Sequence, residues 1–177
     1  METSPRKPLI LEINLISAQG LGRGRKSSGM QTYVVAYLNQ KQNQKLTSRI
    51  DKDGNNNPTW NDKFIFVVDE VGDDSTTHSC LVFEIFRVRR FVKDKRIGVV
   101  RVLLDNLISR NHGCIEGESP KFAAFHVRTP SGEHVGILNI GVANLNTMFH
   151  QEIPKFLSLD SALDYRRLMG SEPVAKA

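Results

Sequence analysis

Apolar and polar residues alternate along this chain in short blocks, separated by turn-forming clusters. Leu11, Ile13 and Leu15 fall on one face of a segment from Leu9 to Ser17, with Glu12 and Asn14 opposite. That period of two marks a half-buried strand. Gly20-Leu21-Gly22-Arg23-Gly24 breaks the pattern, and Arg25 to Met30 continues as a loop. Thr32 to Leu38 is rich in β-branched and aromatic residues and predicts a second strand. Lys45 to Ile50 is a short third, and Trp60 to Val67 a fourth with Phe64 and Phe66 on one face. Ser79 to Phe86 is almost continuously apolar, so the fifth strand is expected at the centre of a sheet. Ile97 to Leu103, Phe122 to Arg128 and Gly136 to Val142 complete the set. Asn39 to Asn43, Asp51 to Pro58, Asp69 to His78 and Thr129 to Glu133 are the connecting turns and loops, most of them rich in Asp, Asn, Gly or Pro. Leu104 to Ser109 reads as a short helical or turn segment, and Arg110 to Ser119 as a polar loop.

Eight short strands at this spacing predict an all-β fold, an eight-stranded antiparallel Greek-key β-sandwich. Ser161-Ala162-Leu163-Asp164 has capping-box spacing and Gly170 a helix-stop position, so a short C-terminal helix is expected over Ala162 to Met169. The expected organisation is a tail over 1–8, one domain over 9–146, and a C-terminal tail over 147–177 carrying that helix. Antiparallel strands reverse direction at each step. The loops after the first, third and fifth strands therefore leave the same end, here termed the apex.

Charge changes this picture at one place. Arg87 to Arg96 holds six cations and one carboxylate, Asp94, a net +5 that equals the formal charge of the whole 177-residue chain. The basic character is therefore local. Arg23, Arg25 and Lys26 of the first apical loop are expected beside it, partly offset by Asp51 and Asp53 of the middle loop. A concentrated cationic site implies an anionic partner, whether phospholipid, nucleic acid or an acidic protein. The alternative for any charge run is a solvated loop with no partner. Phe91-Val92, set among the cations, favours a membrane interface, although packing against a neighbouring loop is the competing placement. The candidate lipid-binding set is Arg23, Arg25, Lys26, Arg87, Arg89, Arg90, Phe91, Lys93, Lys95 and Arg96. Nucleic acid is a weaker partner, because the cluster lacks interleaved aromatics for base stacking.

Other classes find little support. No run approaches 18 apolar residues, and Glu12 and Asn14 interrupt Leu9 to Ile16, so neither a membrane span nor a secretion signal is expected. Residue 2 is Glu, so no myristoylation signal is expected. Cys80 and Cys114 have no metal-type spacing, and a reducing cytosol is the expected compartment. Gly20 to Ser27 suggests a phosphate loop, but Arg25 stands where that loop needs Gly before Lys-Ser. Asp51-Lys52-Asp53-Gly54 suggests a calcium loop whose Gly comes too early and whose closing Glu is missing. His112 and Cys114 lack an orienting third group. His78, His126, His134 and His150 show no ligand spacing, and Trp60 reads as core. No catalytic constellation is present, so the expectation is a non-enzyme with no cofactor and no metal.

Several pieces resemble a C2 domain. Leu11-Glu12-Ile13 through Ser17-Ala18, followed by Gly20-Leu21, resembles its opening strand. Tyr33-Val34 resembles its Asp-Pro-Tyr-Val, with Gln31-Thr32 in place of Asp-Pro. Asn57-Pro58-Thr59-Trp60-Asn61 matches its Asn-Pro-x-Trp-Asn signature, and Ile97-Gly98 its Ile-Gly after the third apical loop. Phe125 to Gly132, Gly136 to Asn139 and Leu163 to Gly170 are similar to small plant C2 proteins of the cold-regulated and bonzai-associated kinds. The resemblance implies membrane binding, peripheral at the plasma membrane or another cytosol-facing membrane. It also implies an adaptor role in stress or defence and a copine-type protein partner, for which the Asp69–Asp74 loop and the tail are candidate docking surfaces. A calcium-binding member would carry Asp where this chain has Gln31, Arg87 and Arg89; Asp94 alone matches a ligand position. Calcium needs six to eight oxygens, several from carboxylates. One Asp among six cations does not supply them, so calcium-independent binding is expected.

Overall fold

In the computed structural model, residues 9–22, 29–39, 44–68, 79–107, 121–145 and 162–164 are described. They form nine strands and one helical turn: β1 (Leu9–Gln19), β2 (Thr32–Leu38), β3 (Leu46–Thr47), β4 (Thr59–Val68), β5 (Cys80–Arg87), β6 (Lys95–Leu103), α1 (Leu104–Leu107), β7 (Lys121–Arg128), β8 (His134–Asn144) and β9 (Ala162–Asp164). Hydrogen-bonded neighbours run in the order β3-β2-β5-β6-β7-β8-β1-β4-β9, every pair antiparallel. The β6–β7 step is a single pair, Val99 with Arg128. The ribbon folds there into two layers, and its two ends, β3 and β9, lie against each other.

Alternation decides what the layers enclose. Leu11, Ile13 and Leu15 of β1, Phe64 and Phe66 of β4, Leu81, Phe83 and Ile85 of β5, and Leu138 and Ile140 of β8 are buried in one core. On β5 the outward-facing Val82 and Glu84 are also nearly buried, as expected of a strand flanked on both sides by β2 and β6. Trp60 is core, and its indole N–H donates to the Thr32 carbonyl at 3.1 Å. A second cluster of Ile10, Ile65 and Leu145 covers the outer side of β1 and β4.

One expectation needs correction. The eight expected strands are present, but a ninth joins them. It occupies Ala162–Asp164, where the first residues of a C-terminal helix were expected; residues 165–169 lie outside the described set. The physical reason lies in β4. As an edge strand it would leave backbone donors and acceptors unpaired, and Phe64, Ile65 and Phe66 pair instead with Asp164, Leu163 and Ala162. An isolated helix of two turns is marginal in water and offers no such gain.

Candidate functional site

The apex is assembled by hydrogen bonds between loops. Ala18 and Leu21 donate their N–H groups to the carbonyls of Pro58 and Asn56, each at 2.9 Å. Gly20 N–H donates to Asn57 Oδ1 at 2.9 Å and Met30 N–H to Asn55 Oδ1 at 3.1 Å. Asn55, Asn56, Asn57 and Pro58 thus stitch the flanks of the first loop to the second. Thr32 and Asp51 exchange backbone bonds at 2.8 and 3.0 Å, and Val88 N–H donates to the Gln31 carbonyl at 2.9 Å. Those contacts bring the β5–β6 hairpin to the same end. Gly22 N–H also reaches the Val135 carbonyl at 3.2 Å, so the β7–β8 hairpin belongs to the apex too. The antiparallel rule holds for the seventh strand as for the first.

The basic stretch forms the end of β5, the hairpin tip and the start of β6. Arg87 pairs in register with Lys95 on one side and Thr32 on the other, and both cations are exposed. Arg89 is tied into the loop: its backbone N–H donates to Asp94 Oδ1 at 2.9 Å and its Nε to the Lys93 carbonyl at 2.8 Å. Arg90 is exposed, with its guanidinium carbon 5.9 Å from the Phe91 ring centroid. Lys93 gives its carbonyl, not its ammonium, to the loop. Arg96 differs from the rest, because its guanidinium is ion-paired with Glu84 on the outer face of the sheet. Arg23, Arg25 and Lys26 lie outside the described residues, as do the Asp69–Asp74 loop, His78, His112, Cys114 and His150.

The tip itself is apolar and open. Phe91 is 89% exposed and Val92 60% exposed, so neither packs against a neighbouring loop among the described residues. The hairpin is held in shape by its one carboxylate. Asp94 Oδ2 accepts the Tyr33 hydroxyl at 3.0 Å while Oδ1 accepts the Arg89 N–H. Tyr33 stacks on Phe86 with centroids 5.3 Å apart. Burial, then hydrogen bonding to the Asp94 carboxylate and its negative charge, push the Tyr33 hydroxyl up to about 12.

Asp51 is engaged in the same way. Its Oδ1 accepts Gly54 N–H at 2.6 Å and its Oδ2 accepts Thr59 N–H at 3.1 Å. The Asp51–Pro58 segment is thus a carboxylate-capped turn, in which Asn55 takes φ of 51°. Both oxygens of Asp51 and both of Asp94 already accept hydrogen bonds, while Asp53 stands exposed. Among the described residues, no group of three or more His, Cys, Asp or Glu is placed to hold a metal ion, and no helix is long and apolar enough to cross a membrane.

One pair was missed in the sequence. His126 and His134 are adjacent across the β7–β8 hairpin, ring centroids 4.7 Å apart and planes inclined by 71°. Their separation of eight residues matches no helical or sequential ligand motif; only hairpin register, centred on the Thr129–Glu133 turn, would have revealed them.

Comparison with known proteins agrees with this architecture. Residues 9–118 match the family model described as C2 domain. Protein SRC2 homolog of Arabidopsis thaliana is 30% identical over 130 residues, covering 72% of this chain and 38% of that protein. BON1-associated protein 2 of the same plant is 25% identical over 132 residues, covering 75% of this chain and 59% of that protein. The chain therefore spans less than two thirds of either relative. Among solved structures, a C2 domain of plant Extended Synaptotagmin 1 superposes with a TM-score of 0.61 at 18% identity, over 78% of this chain and 96% of that one. A C2 domain-containing protein from a putative elicitor-responsive gene superposes at 0.56 and 22% identity, over 81% and 93%. With a family model spanning more than half its length and the same sandwich in solved relatives, the protein belongs to the C2 domain family, beside small plant members.

Proposed function

We propose that this C2 domain is a non-enzymatic, peripheral membrane module that meets an anionic phospholipid surface through its apex without calcium, and acts there as an adaptor. The observation that carries this reading is the β5–β6 hairpin. Phe91 and Val92 stand open at its tip, Arg87, Arg90, Lys93 and Lys95 are exposed on the same hairpin, and its only carboxylate is occupied internally by Tyr33 and Arg89. Each cation near an anionic leaflet contributes about 1 kcal/mol, and four give about 4 kcal/mol. Burying Phe91 adds about 1.5–3 kcal/mol. The total corresponds to reversible binding, on the order of 10–100 μM in dissociation constant. Arg23, Arg25 and Lys26 would add to the same field. The module is taken as residues 9–146, to which β9 (Ala162–Asp164) adds by pairing with β4.

Co-sedimentation with phosphatidylcholine vesicles of rising phosphatidylserine content tests the proposal. Binding is expected to rise with the anionic fraction, fall with salt, and be equal in chelator and in calcium. Indifference to the anionic fraction would overturn the membrane reading; binding only in calcium would overturn the metal-free one.

A second reading, a protein adaptor without direct lipid contact, is favoured by the name of BON1-associated protein 2, which speaks of association with another protein. A copine-type protein at the membrane is the partner this reading proposes. Retention of such a protein by a variant that no longer binds vesicles would separate the two readings.

A further inference from the structure

The His126–His134 pair has a geometry suited to a ligand of its own. His126 lies on β7 and His134 opens β8, joined by the five-residue turn Thr129–Glu133. The turn is closed by Thr129 N–H to the Glu133 carbonyl at 2.8 Å, Gly132 N–H to the Thr129 carbonyl at 2.9 Å, and Glu133 N–H to Thr129 Oγ1 at 3.1 Å. Register then shifts: Arg128 pairs with His134, but His126 pairs with Ile137. The extra residue on β8 is a bulge, a device that re-aims neighbouring side chains. Gly136 sits in it at φ 140°, where a Cβ would come within 2.5 Å of the Gln19 carbonyl oxygen. The bulge is thus locked against β1, and the two imidazoles are held on one face.

We propose that His126 and His134 form a two-imidazole chelate for a divalent transition ion of the zinc, copper or nickel class. Imidazole nitrogen suits these ions and not calcium or magnesium. A metal–nitrogen bond of about 2.0–2.1 Å places each ligated ring centroid about 3.2 Å from the ion. Two ligands subtending about 90–110° at the metal then have centroids about 4.5–5.2 Å apart. The observed 4.7 Å falls inside that window. The steep inclination keeps the rings from stacking, and the broad χ2 well of His lets their in-plane lone pairs converge at little cost. Both residues are exposed, so an ion has a path to them. The neighbouring cation is drawn aside, Arg128 Nη1 donating to the Gly132 carbonyl at 3.3 Å, and Glu133, the residue before His134, supplies compensating negative charge. No third His, Cys, Asp or Glu joins the pair among the described residues, so the remaining coordination positions belong to water or an incoming anionic ligand.

The test uses the full chain without vesicles, so its outcome does not depend on the membrane reading. Zinc chloride is titrated at neutral pH by calorimetry, with nitrogen NMR of the histidine rings as a direct readout. The expected result is saturable zinc binding that shifts both the His126 and His134 resonances, undiminished by equal calcium or magnesium. His126→Ala and His134→Ala, exposed positions whose fold is checked by circular dichroism, should each weaken it about 100-fold, because the second ligand acts at high effective concentration. His126→Gln repeats the measurement with a polar side chain of similar size. Zinc that leaves these two rings unshifted, or binds both alanine variants as tightly as the parent, overturns the assignment.

Discussion

Charge and apolar surface at the β5–β6 tip can be separated experimentally, because neither contributes visibly to folding. Arg90 and Lys93 are exposed, and the Lys93 contribution to the loop is a backbone carbonyl. Replacing both by Gln removes two charges, about 2 kcal/mol at an anionic leaflet, or about a 30-fold loss of vesicle affinity. Phe91 is 89% exposed, so nearly its whole side chain is available for transfer into the interface. Phe91→Ser should forfeit about 1.5–3 kcal/mol, roughly 10- to 150-fold. The two variants differ in character as well as size. The charge loss shrinks as salt shortens the Debye length, whereas the Phe91 loss does not. Co-sedimentation across a salt series, with thermal melts matching the parent, reads both. Should the double variant bind phosphatidylserine vesicles as tightly as the parent, the electrostatic argument fails. Should Phe91→Ser bind unchanged, the tip does not enter the interface.

The remaining predictions concern what holds the apex in shape. Asp94→Ala removes the acceptor for Tyr33 and for the Arg89 N–H, and should cost about 1–2 kcal/mol in urea unfolding. It should also return the Tyr33 ionisation, followed by absorbance at alkaline pH, toward 10.0. The phenol is raised in the folded state, so its contribution to stability is complete below pH 10.0 and is lost as pH climbs through about 12. Tyr33→Phe should flatten that part of the parent's stability profile. Arg96→Gln breaks the pair with the mostly buried Glu84 and should lower stability by about 0.5–1 kcal/mol while leaving vesicle binding nearly intact. Gly98→Ala places a Cβ 2.3 Å from Val127 Cγ1 and 3.3 Å from the Arg128 carbonyl oxygen. It should lower stability by about 1–3 kcal/mol, read as a shift of the urea midpoint at unchanged slope.

The strands were legible because period-two alternation is a local signal, and Leu11, Ile13, Leu15, Phe64 and Phe66 all point where it places them. The nature of Trp60 as core was legible for the same reason. The role of Asp94 was not. In sequence it reads as a leftover metal ligand, and only the fold shows Tyr33, 61 positions away, donating to it. Exposure of Phe91 depends on how the hairpin tip stands among the other described loops, which pattern cannot report. The His126–His134 contact depends on a bulge, whose extra residue leaves no periodic trace. Ala162–Asp164 was misread because local capping signals cannot sense the vacant edge of a strand far earlier in the chain.

That edge has a consequence for how the protein is handled. Phe64, Ile65 and Phe66 of β4 share their backbone groups with Ala162–Asp164. A version cut after residue 146 would present this stretch as an open rim, a template for another copy of itself. Two shortened molecules zipped antiparallel, rim to rim, would hold their apices at opposite ends and could bridge two vesicles. Such a preparation would clump vesicles, a behaviour belonging to the cut rather than to the domain.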